Sequence, residues 1–159
     1  MRLFLFDIDG TLIYAHQAGR ACLLRAMQEV FGTAGAEGQY DWRGKTDPQI
    51  VRDLLRGAGV PESVIEARLD ECFATYAAHL EKTIDGGHPV DVYPGIRELL
   101  EKLSHRADSL VGLLTGNVEA GARLKLKPTG LLPYFKVAAY GSDDSDRRKL
   151  PAVARKRAQ

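Results

Sequence analysis

The N-terminus constrains this chain more than any other segment. Four apolar residues, Leu3-Phe4-Leu5-Phe6, run straight into Asp7-Ile8-Asp9-Gly10-Thr11-Leu12. An unbroken apolar run of this length predicts a strand buried on both faces, as in a parallel sheet. Ligands of open α/β sheets bind beyond the carboxyl ends of the strands, which is where Asp7 and Asp9 fall. Alternate residues of an extended segment share one side, so both carboxylates can face one reactant while Ile8 points away. Gly10 then allows a sharp turn.

With 159 residues, 45% of them apolar, the chain can build one domain with a real core and an inserted smaller unit. A formal net charge of +1 gives no basic field for nucleic acid. No apolar stretch is long enough to span a membrane, and Asp7 interrupts the first apolar run too early for a signal-peptide core. Cys22 and Cys72 lie in helix-like segments and read as buried free thiols. A reducing, cytoplasmic setting is the default expectation.

Beyond Leu12 the periodicity becomes helical. Leu23, Leu24, Met27, Val30 and Phe31 share a stripe that Gly32 stops. Asp47-Pro48 reads as an N-cap followed by proline in the first turn of a helix carrying Ile50, Val51, Leu54 and Leu55. Pro61 opens a longer helix with the stripe Ile65, Leu69, Cys72, Phe73, Tyr76 and Leu80. An α/β rhythm then returns. Pro94 opens a helix carrying Ile96, Leu99, Leu100 and Leu103, and a second apolar strand spans Leu110 to Leu114. Asn117 reads as the N-cap of a further helix, Val137 to Tyr140 as a third strand, and the last stretch as a helix with the basic end Arg155-Lys156-Arg157. The fold class expected is therefore α/β: a Rossmann-like three-layer core with a parallel sheet, residues 1–14 and 92–159, interrupted by a helical cap, residues 15–91.

Asp7-Ile8-Asp9-Gly10-Thr11-Leu12 resembles the first motif of the haloacid dehalogenase-like hydrolase superfamily. The same letters can open a calcium loop, but Leu12-Ile13-Tyr14-Ala15 supply none of the further acidic ligands that loop needs. Leu113-Leu114-Thr115-Gly116-Asn117 resembles the second motif. Tyr93-Pro94-Gly95-Ile96 resembles the segment that re-enters the core after a helical cap, so the likeness covers nearly the whole chain.

The resemblance implies roles. Asp7 is the expected nucleophile, forming an aspartyl-phosphate. Asp9 is the expected acid and then base, which asks for a raised pKa. Mg²⁺ is expected on Asp7 and the Asp9 main-chain carbonyl. Thr115 and the backbone N–H groups of Gly116 and Asn117 are expected to bind phosphoryl oxygens, with Gly10 and Thr11 beside them. The third motif is a cation. Arg147 is the first choice, since some relatives carry Asp-Arg there, and Lys149 and Arg148 remain open. In the cap, Arg43 and Lys45 are candidates to meet a substrate carboxylate or phosphate and Trp42 to shield the site; a plain helix-capping loop with Trp42 packed in the cap is the alternative.

The fourth motif of the resemblance, a strand ending in Gly-Asp and a further Asp, has no counterpart before Gln159. The expectation is accordingly an incomplete piece of a longer hydrolase, weak in Mg²⁺ affinity and poorly active or inactive, or a homodimer joined through the exposed sheet edge. An acid at Asp9 favours phosphoryl transfer over carbon–halogen cleavage. The expected activity is Mg²⁺-dependent hydrolysis of a small phosphorylated metabolite, with no nucleic-acid or membrane partner. A phosphomutase, or a non-catalytic phosphate-binding module or inactive fragment, is the alternative.

Overall fold

The computed structural model describes all residues, 1–159. Strand β1 (Arg2–Phe6) is followed by a short β2 (Ile13–Tyr14) and helices α1 (Ala18–Phe31), α2 (Asp47–Gly57) and α3 (Glu62–Asp85). The chain continues through β3 (Asp91–Val92), α4 (Ile96–Ser104), β4 (Ser109–Leu114), α5 (Glu119–Leu126), β5 (Val137–Ala139) and α6 (Leu150–Arg157). The main sheet is parallel, in the order β1-β4-β5, with Phe6 opposite Leu113 and Leu114 opposite Ala139. This is the α/β class expected, with a parallel sheet and six helices. No helix is long and apolar enough to cross a membrane.

Apolar burial divides by element. Residues of α1, α2 and α3, together with Val118, form one cluster of 17 buried side chains that includes Met27, Leu54, Ile65 and Leu80. Leu100, Leu113, Leu126 and Leu131 anchor a second cluster of 12 around the sheet, and Ala139, Leu150 and Ala154 close its far face. Val118, just after β4, belongs to the first cluster. At Gly121 of α5 an added Cβ would lie 2.7 Å from the Tyr76 hydroxyl of α3, so the two helices touch without space for a side chain.

Several local readings change. Leu3, Phe4, Leu5 and Phe6 are only half-buried, because β1 is an edge strand and no strand covers its other side. Leu99 is exposed; the inward face of α4 carries Leu100 and Leu103, and Ile96 is half-buried. The cap of α2 is Thr46 rather than Asp47: the Thr46 hydroxyl accepts the Gln49 N–H at 3.3 Å, and Asp47 is the first helical residue. Val118, not Asn117, occupies the N-cap of α5, and the Asn117 side chain is used elsewhere. Gly32 ends α1 as expected, with φ 74° and its N–H on the Gln28 carbonyl. Cys22 and Cys72 are buried free thiols, and burial pushes the Cys72 thiol up to about 12.

Two segments join the helical part to the sheet. β2 and β3 pair antiparallel, Tyr14 opposite Asp91. Immediately after β2, His16 and Gln17 have φ of 45° and 62°, the only left-handed residues in the chain that are not glycine. Such conformations are costly for side-chain-bearing residues and persist when their surroundings fix them. Here the His16 ring meets the Asp91 carboxylate at 2.6 Å, tying the outgoing segment to the returning one.

The tightest point of the sheet is Gly112. A Cβ there would lie 2.5 Å from Val137 Cγ1 and 2.7 Å from the Val137 carbonyl oxygen. The second contact is with main chain and no rotamer change relieves it. Gly112→Ala is therefore expected to lower stability by about 1–3 kcal/mol, read as a fall in the urea midpoint with unchanged slope.

Candidate active site

The site begins at the end of β1. Gly10, with φ 74°, turns the chain so that the Ile8 carbonyl accepts N–H groups from Thr11, Leu12 and Ile13. Ile8, Leu12 and Ile13 are fully buried by this turn, which fixes the main chain between the two acids. Asp7, Asp9 and Gly10 line a cavity of about 570 Å³. Thr11 does not: it sits on the exposed outer side of the turn, so its expected part in phosphate binding is not supported by its position.

The loop after β4 supplies the facing wall. Gly116 and Asn117 line the cavity, and no protein acceptor takes the Gly116 N–H. The Asn117 N–H is already given to Thr115 Oγ1 at 3.2 Å. Thr115 is completely buried beneath the cavity, and its hydroxyl oxygen also accepts from Asn117 Nδ2 at 2.7 Å. The Asn117 amide is thus spent on shaping the loop, which changes its expected role, and Gly116 is left as the amide free to donate. Thr115 does not line the cavity itself, but its hydroxyl only accepts within the protein and keeps its own O–H to give.

Two cations face the acids. Arg147, in the short 3₁₀ turn Arg147–Lys149, donates from Nη2 to Asp7 Oδ2 at 2.5 Å and lines the cavity. Lys149 is turned away onto Asp144 at 3.3 Å and is mostly exposed, and Arg148 lies on Asp146. Among the three candidates for the third-motif cation, only Arg147 reaches the site, because Asp146 caps the turn and holds Arg148 outward.

The second cation is Lys125, which the sequence reading missed. Its side chain is nearly buried, and Nζ donates to Asp9 Oδ2 at 2.8 Å and to Asn117 Oδ1 at 2.7 Å. Asn117 Nδ2 gives a further bond to Asp9 Oδ2 at 2.8 Å. Burial raises the pKa of Asp9, but the Lys125 charge and the bonds from Lys125 and Asn117 outweigh it and hold the carboxyl below its ordinary value. The raised pKa expected at Asp9 is thus reversed in this arrangement. The signal available in the sequence was a lysine on the small, apolar face Gly121-Ala122-Lys125-Leu126 of the helix that follows the Thr115-Gly116-Asn117 loop.

The α2 entry segment completes the enclosure. Arg43, Gly44, Lys45 and Asp47 line the cavity. Arg43 has a side chain that is 91% exposed and folded back onto Asp41. Lys45 lies 3.6 Å from Asp53 and 3.7 Å from the centre of the Tyr40 ring. Trp42 packs against the helical cluster and also lines the cavity, with the Arg20 guanidinium 4.8 Å from its ring centre.

Three bonds stitch this segment to the sheet loops. The Asp47 N–H donates to the Gly116 carbonyl at 2.8 Å, the Thr46 hydroxyl to the Ser145 carbonyl at 2.8 Å, and the Val118 N–H to Asp47 Oδ2 at 2.9 Å. The contact is close enough that a Cβ on Gly116 would fall 2.2 Å from the Lys45 carbonyl oxygen. Burial pushes the Asp47 carboxyl up to about 6; Lys125 and the Val118 N–H oppose the rise and Asp9 adds to it. Thr46-Asp47-Pro48-Gln49 carried a capping signature in the sequence, which would have freed Asp47 from the cap position.

No group of three or more His, Cys, Asp or Glu side chains is arranged to hold a metal ion. Asp143 and Asp144 are engaged by Arg157 and Lys149 in the loop after β5. Mg²⁺ needs fewer protein oxygens where phosphate and water complete its octahedron. The Asp7 carboxylate and the Asp9 carbonyl, which accepts no hydrogen bond within the protein, are the two oxygens that fit it.

A family model for haloacid dehalogenase-like hydrolases matches residues 1–158. No curated protein sequence matches the chain. Among solved structures, CbbY from Rhodobacter sphaeroides in complex with phosphate is similar over 98% of this chain and 72% of its own, at 16% identity and a TM-score of 0.71. A provisionally assigned phosphoglycolate phosphatase from Lactobacillus plantarum is similar over 98% and 70%, at 19% identity and a TM-score of 0.64. A provisionally assigned β-phosphoglucomutase from Thermotoga maritima is similar over 99% and 70%, at 19% identity and a TM-score of 0.54. At these identities the likeness is one of fold.

The Asp47 environment has a measurable consequence. The folded chain binds its proton more tightly (about 6) than an unfolded chain does (3.8), so stability falls as pH rises through that interval and stays lower above it. Asp47→Asn keeps an oxygen for Val118 and removes the charge. It is expected to exceed the native protein in stability by about 1–3 kcal/mol at pH 7.5, with the two converging below pH 4 in chemical denaturation.

Proposed function

We propose that this chain, which belongs to the haloacid dehalogenase-like hydrolase family, is a Mg²⁺-dependent phosphatase of small phosphomonoesters. The observation that carries the reading is the convergence of Asp7, Asp9, Arg147 and the free Gly116 N–H on one cavity. In this reading residues 15–91 form a cap over a core made of residues 1–14 and 92–159.

Asp7 is the nucleophile. Its carboxylate attacks phosphorus, the alcohol oxygen leaves, and an aspartyl-phosphate remains, later hydrolysed by water. Arg147 in the resting site neutralises Asp7. With substrate bound, the same guanidinium meets the transferring phosphoryl oxygens, and Gly116 donates its amide to them. Asp9, held ionised by Lys125 and Asn117, is suited to take the proton of the attacking water in the second step. In the first step, once substrate has displaced the Lys125 contact, Asp9 takes up a proton from solvent and gives it to the leaving oxygen, so the break-up of that pair belongs to the proposal. Mg²⁺ would be held by the Asp7 carboxylate and the Asp9 carbonyl, where it would supply positive charge to the phosphoryl oxygens. The α2 entry segment, stitched to the Gly116 loop, keeps water from the reacting atoms.

Two measurements test the reading. Release of phosphate from p-nitrophenyl phosphate is expected to fall at least about 10³-fold in Asp7→Asn and about 10²-fold in Arg147→Ala; equal rates in native protein and Asp7→Asn would remove the assignment. Chelation with EDTA is expected to abolish release and millimolar Mg²⁺ to restore it, whereas indifference to both would exclude the metal.

A further inference from the structure

The cavity has a second region beyond the reacting acids, and its chemistry is unlike that of an anion site. Its walls are largely apolar or aromatic, with Leu23, Ile50 and Tyr76 supplied by α1, α2 and α3 and Tyr14 and Tyr93 by β2 and the residue after β3. The cations that border it are already committed. Arg20 is bound to Glu37, Arg43 to Asp41, and Lys45 to Asp53 with its ammonium on the Tyr40 ring. Lys125 and Arg147 serve Asp9 and Asp7 and face the phosphoryl position. A second anionic group on the substrate would have to compete with an acidic partner for every one of these cations.

Asp47 is the contrasting element. Oδ2 takes the Val118 N–H, and Oδ1 accepts from no protein group. No cation lies within ion-pairing distance of it, because the Lys125 ammonium is given to Asp9 and Asn117. The side chain lines the cavity and is fixed at the α2 start by its own N–H on Gly116. A carboxylate oxygen held in place without a donor calls for one from the ligand. It also repels a second carboxylate or phosphate in the same space.

Resting on the phosphatase reading, we propose that Asp47 is a specificity residue: its free oxygen accepts a hydroxyl of the substrate's alcohol portion and turns away phosphomonoesters that carry a second anion. The preferred substrates are hydroxylated and otherwise neutral. In this proposal Arg43 and Lys45 are not the receivers of a substrate carboxylate, since each would first have to leave its acidic partner.

The test compares glycerol 3-phosphate with 2-phosphoglycolate, using p-nitrophenyl phosphate as the reference for turnover. Native protein is expected to favour glycerol 3-phosphate in kcat/KM by at least about tenfold. Asp47→Asn is expected to narrow that ratio at least about threefold, chiefly through better use of 2-phosphoglycolate. Equal or reversed preference in native protein, or a ratio that Asp47→Asn leaves in place, would overturn the inference while p-nitrophenyl phosphate turnover keeps the phosphatase reading. The two ligands are also titrated calorimetrically into Asp7→Asn, where preference is read without turnover. Equal affinity there overturns the inference, whereas absence of p-nitrophenyl phosphate turnover by native protein overturns the phosphatase reading.

Discussion

The parallel pairing of β1 with β4 is the constraint on which the site rests. With Phe6 opposite Leu113, both strands end at the same edge of the sheet, and the residues that follow them leave side by side. Asp7 and Asp9 come from one exit, and Thr115, Gly116 and Asn117 from the other. The Asn117 side chain spans the gap, bonding Thr115 on its own loop and Asp9 on the neighbouring one. A one-residue slip would send the alternate set of side chains to the edge and dissolve this bridge. The β4–β5 pairing extends the same edge, so that the loop after β5 returns Arg147 to Asp7.

Charge in the cavity is arranged by pairing rather than by excess. Arg147 is matched to Asp7 and Lys125 to Asp9, and the remaining cations are matched to acids outside the reacting centre. Asp9 and Asp47 feel the same lysine, yet their acidities move apart. One receives the ammonium directly and sits low; the other lies deeper in the seam between helix and sheet and sits high. Two carboxylates separated in this way are suited to different tasks.

The larger outline was legible in the sequence. An apolar run ending in alternate acids, a second apolar run ending in Thr-Gly-Asn, and helical periodicity between them were enough for the α/β class and for the convergence of Asp7, Asp9 and Gly116. Arg147 was legible as the leading cation of its cluster. What escaped was settled by tertiary contact. Nothing in the sequence singled out Lys125, since lysine is mostly a surface residue, and the close approach of α1 and α3 to α5 buries it. Thr115 was legible as the hydroxyl that ends a strand, but not the bonds that Asn117, two positions further on, gives to its oxygen. The apparent cap at Asp47 followed residue preference, whereas Thr46 next to it had the reach to Gln49 and left the aspartate for Val118. The double burial of β1 was over-read because an apolar run does not reveal whether its strand is central or at an edge.

The near-contact between Gly116 and the Lys45 carbonyl carries a consequence for engineering and divergence. With no gap the size of a methyl group between them, and with Gly141 set as closely against Gly116 from the other side, the three short stretches form a single interlocking surface. A helical insert taken from a relative would not seat on this sheet unless the stretches around residues 44–47, 115–118 and 141 were transplanted together. Exchange of substrate preference between family members is thereby restricted to joint replacement of these pieces or to changes in side chains that project away from the lock.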